Sequence, residues 1–263
     1  MIRAFKRSRI ASAALMLLSV FIAVIIWFRD TGHPFFVPLI GSVLMLGIGY
    51  FSSRVLGNLL SSMENTRYLG YLHMELDPKK FIEHYRDIPG RLKEDSQSAA
   101  VMRSYLADGY AADGDFDTAL ATLASGPDPK ELSVRGLYAT NRCAYYLGLE
   151  DTEHAREAIA ELSQIIDACR LNKADLAKNL TESLRLYQQN LNCLTGDAVD
   201  TDFLDAAFQR AQYNIRRLEI AKVLAMDARN RADREMAKKQ LQYLRKNGGK
   251  TCFKRWADAQ QLP

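Results

Sequence analysis

Residues 104–123 read SYLADGYAADGDFDTALATL. Ala107 is followed by Tyr110, then by Ala119 and Leu123, at offsets of 3, 12 and 16. The same offsets connect Cys143, Tyr146, Ala155 and Ile159, and again Ala225, Ala228, Ala237 and Leu241. Spacings of three and four place side chains on one face of an α-helix. Each set therefore predicts two antiparallel helices joined by a tight turn. Small residues at the first and third positions let the two helices approach closely. Bulkier ones at the fourth, and usually the second, fill the gap to the next pair. Gly114 and Asp115 supply the first turn, and residues 149–152 and 231–234 occupy the turn in the other two sets.

This pattern resembles the tetratricopeptide repeat (TPR), in which a Tyr follows a small residue by three, an Ala lies beyond the turn and a Phe comes four later. The match is best at 104–123 and fair in NRCAYYLGLEDTEHAREAIAELSQII (141–166) and KVLAMDARNRADREMAKKQLQYL (222–244). It covers roughly residues 95–250, about four units, against a minimum of about three for a stable stack. The departures are a missing Trp, a missing closing Pro, and first sets 36 residues apart where the family has 34. Between Cys143 and Ala225 there is room for one degenerate pair, at 174–194 and 202–215, joined at Gly196-Asp197. The competing fold is an irregular, alanine-rich helical bundle.

Upstream of the repeats no period-2 alternation marks a strand from Asn58 onward. Asp77-Pro78 is a helix-start signal, opening a short helix at 79–86 that Ile88-Pro89-Gly90 ends. Further towards the N-terminus come two uncharged runs. IASAALMLLSVFIAVIIWF (10–28) is close to the roughly 20 residues that cross a bilayer as a helix. FFVPLIGSVLMLGIGYF (35–51) extends through Ser52 and Ser53. The first run is longer than a signal-peptide core, and no small-x-small cleavage site separates the two. Ser12, Ser19 and Ala23 on the first helix, and Gly41, Gly47 and Gly49 on the second, offer a close-packing seam. Pro38 falls near a helix start, and Trp27 suits a headgroup region.

The fold class expected is thus all-α, with an N-terminal transmembrane helical hairpin followed by an α-solenoid of TPR-like helix pairs. The divisions are a basic N-terminus (1–9), transmembrane helix 1 (10–28), an external turn (29–34), transmembrane helix 2 (35–53), a juxtamembrane helical linker (54–94) and the repeat domain (95–263). Arg3, Lys6, Arg7 and Arg9 precede the first span without an acid, and Arg54 and Arg67 follow the second. By the positive-inside rule both termini are expected in the cytoplasm, with the turn outside.

The whole chain carries a net charge of +4, which resides before Ser52; the remainder balances 30 basic against 30 acidic residues. That neutrality argues against a nucleic-acid binder, which carries a basic footprint of its own. Cys143, Cys169, Cys193 and Cys252 form no CxxC pair and no zinc spacing, and are expected as free, mostly core, thiols. The run DGDFD at 113–117 opens like a calcium loop, but Thr118 and Ala124 stand where Gly and Glu are needed. His33, His73, His84 and His154 have no metal-ligand spacing, with His33 in the turn and the others expected on helix surfaces. No phosphate-loop, dinucleotide, zincin or nucleophile-elbow motif is present. The chain is expected not to be an enzyme, with no catalytic, cofactor or metal residues. Residues 229–255 carry ten bases against Asp233 and Glu235, a face suited to anionic lipid or an acidic peptide, or simply a solvated one.

The resemblance implies an interaction scaffold whose first helices line a concave groove. In that register Ser104, Asp108, Thr140, Ala144, Lys222, Met226 and Arg229 face the groove. The expected function is a membrane-anchored cytoplasmic adaptor. Its partners are a lipid bilayer at residues 10–53 and a protein or peptide. The alternatives are an accessory subunit of a transport or secretion complex held by the hairpin, and an enzyme subunit, which would require a deep pocket with paired titratable groups.

Overall fold

The computed structural model describes residues 2–29 and 36–261, and all of their regular structure is helical. Residues 30–34 of the predicted external turn, including His33, lie outside the described residues, as does the side chain of Ser12, whereas Arg29 ends the first helix. By its contacts the chain divides into two units, at Tyr68/Leu69.

The first unit contains α1 (Ile2–Arg29) and most of α2 (Phe36–His73). Leu39–Leu56 is the one segment among the described residues long and apolar enough to cross a membrane; the apolar part of α1, Ala13–Arg29, is shorter. Leu17, Phe28, Ile48 and Phe51 are all exposed. The two helices meet through small residues: a Cβ on Gly49 would overlap Ser19 Oγ, and Ser42 Oγ donates to the Ala23 carbonyl at 3.2 Å. Gly41 approaches Ile26, whereas Gly47 has open space around it and takes no part in the contact.

The second unit follows in helices of 8 to 22 residues. They are α3 (Pro78–Tyr85), α4 (Gln97–Ala112), α5 (Phe116–Ala124), α6 (Leu132–Gly148), α7 (Thr152–Arg170) and α8 (Ala174–Thr195). After them come α9 (Thr201–Arg210), α10 (Asn214–Asn230), α11 (Arg234–Asn247) and α12 (Cys252–Ala259), and a 3₁₀ turn at Pro89–Arg91 lies between α3 and α4. This unit takes in the stretch from Leu69 to the 3₁₀ turn, read above as linker, because α3 and the 3₁₀ turn both pack on α4. Phe81 and Tyr85 are completely buried there, and Phe81 lies so close to Gly109 that a Cβ at that position would overlap its ring. The degenerate pair is shorter than expected: α9 stops at Arg210, the chain breaks at 211–213, and Ile215 belongs to α10.

Local chemistry sets the helix starts. Asp115, Asp151, Asp200 and Asp233 cap α5, α7, α9 and α11, each carboxylate accepting from the backbone N–H three residues on. Three of these caps follow a left-handed residue: Gly114 (φ 77°), Glu150 (φ 59°) and Ala232 (φ 57°). In each, the Asp N–H closes the preceding helix by bonding to a carbonyl five residues back: Tyr110, Tyr146 and Ala228. The same turn thus recurs in α4–α5, α6–α7 and α10–α11.

Packing follows the small residues. Ala107, Ala119, Cys143, Ala155, Ala225 and Ala237 have almost no exposed surface. α4 packs on α5, α6 on α7 and α10 on α11, while α4, α6, α8 and α10 are neighbours in succession. Leu162, Leu204 and Leu241 are completely buried in the clusters between them. Each contributes on the order of 1.5–3 kcal/mol by removal from water. α12 touches both α10 and α4, so that α4, α6, α8, α10 and α12 form a closed circuit of contacts.

Candidate functional site

Inside that circuit lies a cavity of about 320 Å³, lined by α4, α5, α6, α8, α10, α12 and the end of α2. Two contacts tie α12 to the end of α4: Arg255 donates to the Asp113 carbonyl and, at 3.3 Å, to the Asp113 carboxylate, and Cys252 Sγ contacts the Ala111 carbonyl at 3.5 Å.

The polar seam between α4 and α6 decides what faces inward. Tyr138 OH donates to the Ala100 carbonyl at 3.2 Å, Asn141 Nδ2 to Ser104 Oγ at 2.9 Å, and Tyr145 OH to Asp108 Oδ1 at 2.6 Å. The three bonds climb both helices at spacings of three and four, which is why one face of each is turned to the other. Asp108 is the end of this ladder and lines the cavity. Burial, opposed by the Tyr145 hydrogen bond, pushes its carboxyl up to about 7. Across the cavity on α10, Glu219 is paired with Arg216 at 2.8 Å. Lys222, one turn on, has its ammonium 5.4 Å from the Trp256 ring centre, and burial lowers its pKa. Neither Asp108 nor Lys222 has an ion-pair partner among the described residues.

Of the seven residues expected in the groove, Asp108, Ala144 and Lys222 line the cavity. Ser104 is buried under Asn141, the Thr140 hydroxyl returns to the Gly136 carbonyl, Met226 packs among α8 and α9 residues, and Arg229 is exposed and bonded to Gln260. On α6 the inward face is centred on Asn141, Ala144, Tyr145 and Gly148, about one residue, or 100° of helix, away from the expected one. On α10 it runs back towards Ile215 and Glu219, not forward to Arg229. Tyr145, Tyr187 and Glu219 were missed. The available signal was polar or aromatic residues at spacings of three and four within otherwise apolar faces. Trp256 and Cys252 carried no signal, because they arrive from a helix outside the three sets.

His73 was expected on a surface, but it lines the cavity with Nδ1 buried and without a hydrogen-bond partner among the described residues, its ring 5.1 Å from that of Tyr213. Burial lowers its pKa. All four cysteines are free thiols. Burial pushes Cys143 and Cys193 up to about 12 and Cys252 to about 11, which leaves them poor nucleophiles. In the calcium-like run, Asp115 caps α5 and Asp113 pairs with Arg255. Part of the basic C-terminal region bonds inside the fold: Lys250 pairs with Asp77, Lys254 with Asp258, and Arg245 donates to the carbonyls that end α12.

No family model, curated protein or solved structure matches the chain.

Proposed function

We propose that the chain is a membrane-anchored binding protein whose helical unit takes a small ligand, or the end of a partner chain, into the cavity. In this reading residues 10–53 cross the bilayer twice as a hairpin, with both termini in the cytoplasm. The helix pairs are TPR-like and turn their first helices inward. The observation that carries the reading is that Asp108 and Lys222, from different helix pairs, line one cavity. An unpaired buried charge costs several kcal/mol, and a ligand that pairs with it recovers that cost. The contacts of α12 with α4 support a compact occupant over a long extended peptide. The exposed apolar faces of α1 and α2, with small residues between them, support the hairpin.

The test is Ala144→Trp, which fills the cavity from its wall. Proximity labelling in native membranes and ligand extraction from the purified chain are both expected to lose components relative to wild type. An unchanged set in both would overturn the cavity as the binding element.

One observation favours a catalytic reading as the second choice. The Asp108–Tyr145 pair is the kind of titratable pair that an enzyme pocket would hold. The two readings part on recovery: a binding protein returns its ligand unchanged, whereas an enzyme yields a product visible by mass spectrometry.

A further inference from the structure

The binding reading above is the starting point here, and the class of ligand follows from the charges in the cavity. Asp108 on α4 and Lys222 on α10 both line it, and their charged atoms lie more than 4.0 Å apart, beyond ion-pair distance. Of the other charges there, Glu219 is held by Arg216, and Glu150, which acts on Lys222 without forming an ion pair, is exposed to solvent. Tyr145, Tyr187, Phe253 and Trp256 supply aromatic walls. A cation alone would leave Lys222 uncompensated, an anion alone would leave Asp108, and a neutral molecule would leave both. We propose that the cavity binds a small zwitterion of the amino-acid class, with its ammonium on Asp108, its carboxylate on Lys222 and its hydrocarbon against the aromatic walls.

Size agrees with this. A cavity of about 320 Å³ stands at the small end of ligand sites. The drift of both groups towards neutrality agrees as well, since a zwitterion restores charge to each. Asp108 is faced by Tyr145 from α6, Glu219 from α10, Tyr85 from α3 and Tyr105 from its own helix. Lys222 is faced by Glu150 beyond α6, Cys193 from α8, and Cys252 and Trp256 from α12. Only ionised Asp108 holds the ammonium, so affinity is expected to fall as pH drops below about 7, by up to about tenfold per pH unit.

The experiment is calorimetric titration of the full chain in lipid nanodiscs. The probes are leucine, phenylalanine, 4-aminobutanoic acid and 6-aminohexanoic acid, which vary the charge separation and the side chain. Each is paired with its methyl ester, a cation only, and its N-acetyl form, an anion only. At least one zwitterion is expected to bind at least tenfold tighter than both blocked forms. Asp108→Asn is expected to remove its advantage over the N-acetyl form, and Lys222→Met its advantage over the ester. The blocked probes test the wild-type chain, so the result stands even where a variant fails to fold. If no zwitterion binds, or if the blocked forms bind as well, the inference is overturned. In that event an Ala144→Trp variant that still loses labelled partners or extracted ligand keeps the binding reading and removes only the zwitterion. An Ala144→Trp variant with no effect removes both.

Discussion

The unit that ends at Tyr68 and the unit that begins at Leu69 use the same packing device. In both, small residues sit where helices meet: Ser19 against Gly49 in the first, Ala107, Ala119, Cys143 and Ala155 in the second. The large apolar side chains then go opposite ways. Leu17 and Phe51 are each 70% exposed, whereas Leu162 and Leu241 are 0% exposed. Small residues at a contact are a matter of shape and work in either solvent. The direction of the large apolar side chains is what separates the two units. The second unit adds charged groups turned towards its cavity, Asp108 and Lys222.

The largest expected effect comes from truncating one leucine in each unit. Leu162→Ala leaves a hole among α6, α7 and α8 and should cost about 3 kcal/mol, whereas Leu17→Ala should cost less than about 0.5 kcal/mol. Urea unfolding of the full chain in nanodiscs, read at a probe in the second unit, checks both; equal costs would break the comparison.

Next is the pH dependence of Asp108. Its carboxyl stands at about 7 in the fold against an ordinary 3.8, so the protonated form is favoured by folding. The resulting stabilisation is complete below about pH 4 and is lost as pH rises through about 7. Asp108 keeps some accessible surface along the cavity, so about 2 kcal/mol is the expected size. Thermal melts from pH 4 to pH 7 should show this decline in the wild type and not in Asp108→Asn.

The first unit offers a sharper local contrast. Gly49→Val should drive α1 and α2 apart at Ser19, at a cost of about 1–3 kcal/mol, while Gly47→Val should be tolerated. Disulfide formation between Ala23→Cys and Ser42→Cys reads this out, and should be lost with the first substitution and kept with the second. The smallest effect lies in the recurring turn. Ala232→Gly relieves a left-handed residue and should stabilise by about 0.5–1 kcal/mol, and Gly114→Ala should destabilise by a similar amount, by chemical denaturation.

Much of the helical architecture was legible beforehand because its determinants are local. Asp77-Pro78 announced α3, and Gly114-Asp115 announced the turn into α5. The end of α9 was not legible, because nothing in 211–213 is a strong helix breaker. The lining of the cavity was legible only in part. Repeat register alone placed Asp108, Ala144 and Lys222 among the groove residues, and these three line the cavity, whose lining on α6 and α10 is otherwise offset from that register. An error of 100° per residue decides whether Thr140 or Asn141 faces the centre.

By itself, then, the sequence determined that the regular structure is all-helical, that small residues set the helix contacts, and that the net charge lies before Ser52. These depend on spacing, caps and composition, which act over a few residues. Only the tertiary structure decided that α12 returns to α4 and helps line a cavity, that His73 and Trp256 belong to it, and that Asp108 and Lys222 share it without pairing. Those facts depend on contacts between residues more than a hundred positions apart, where small rotations of each helix add up and no local pattern records the sum.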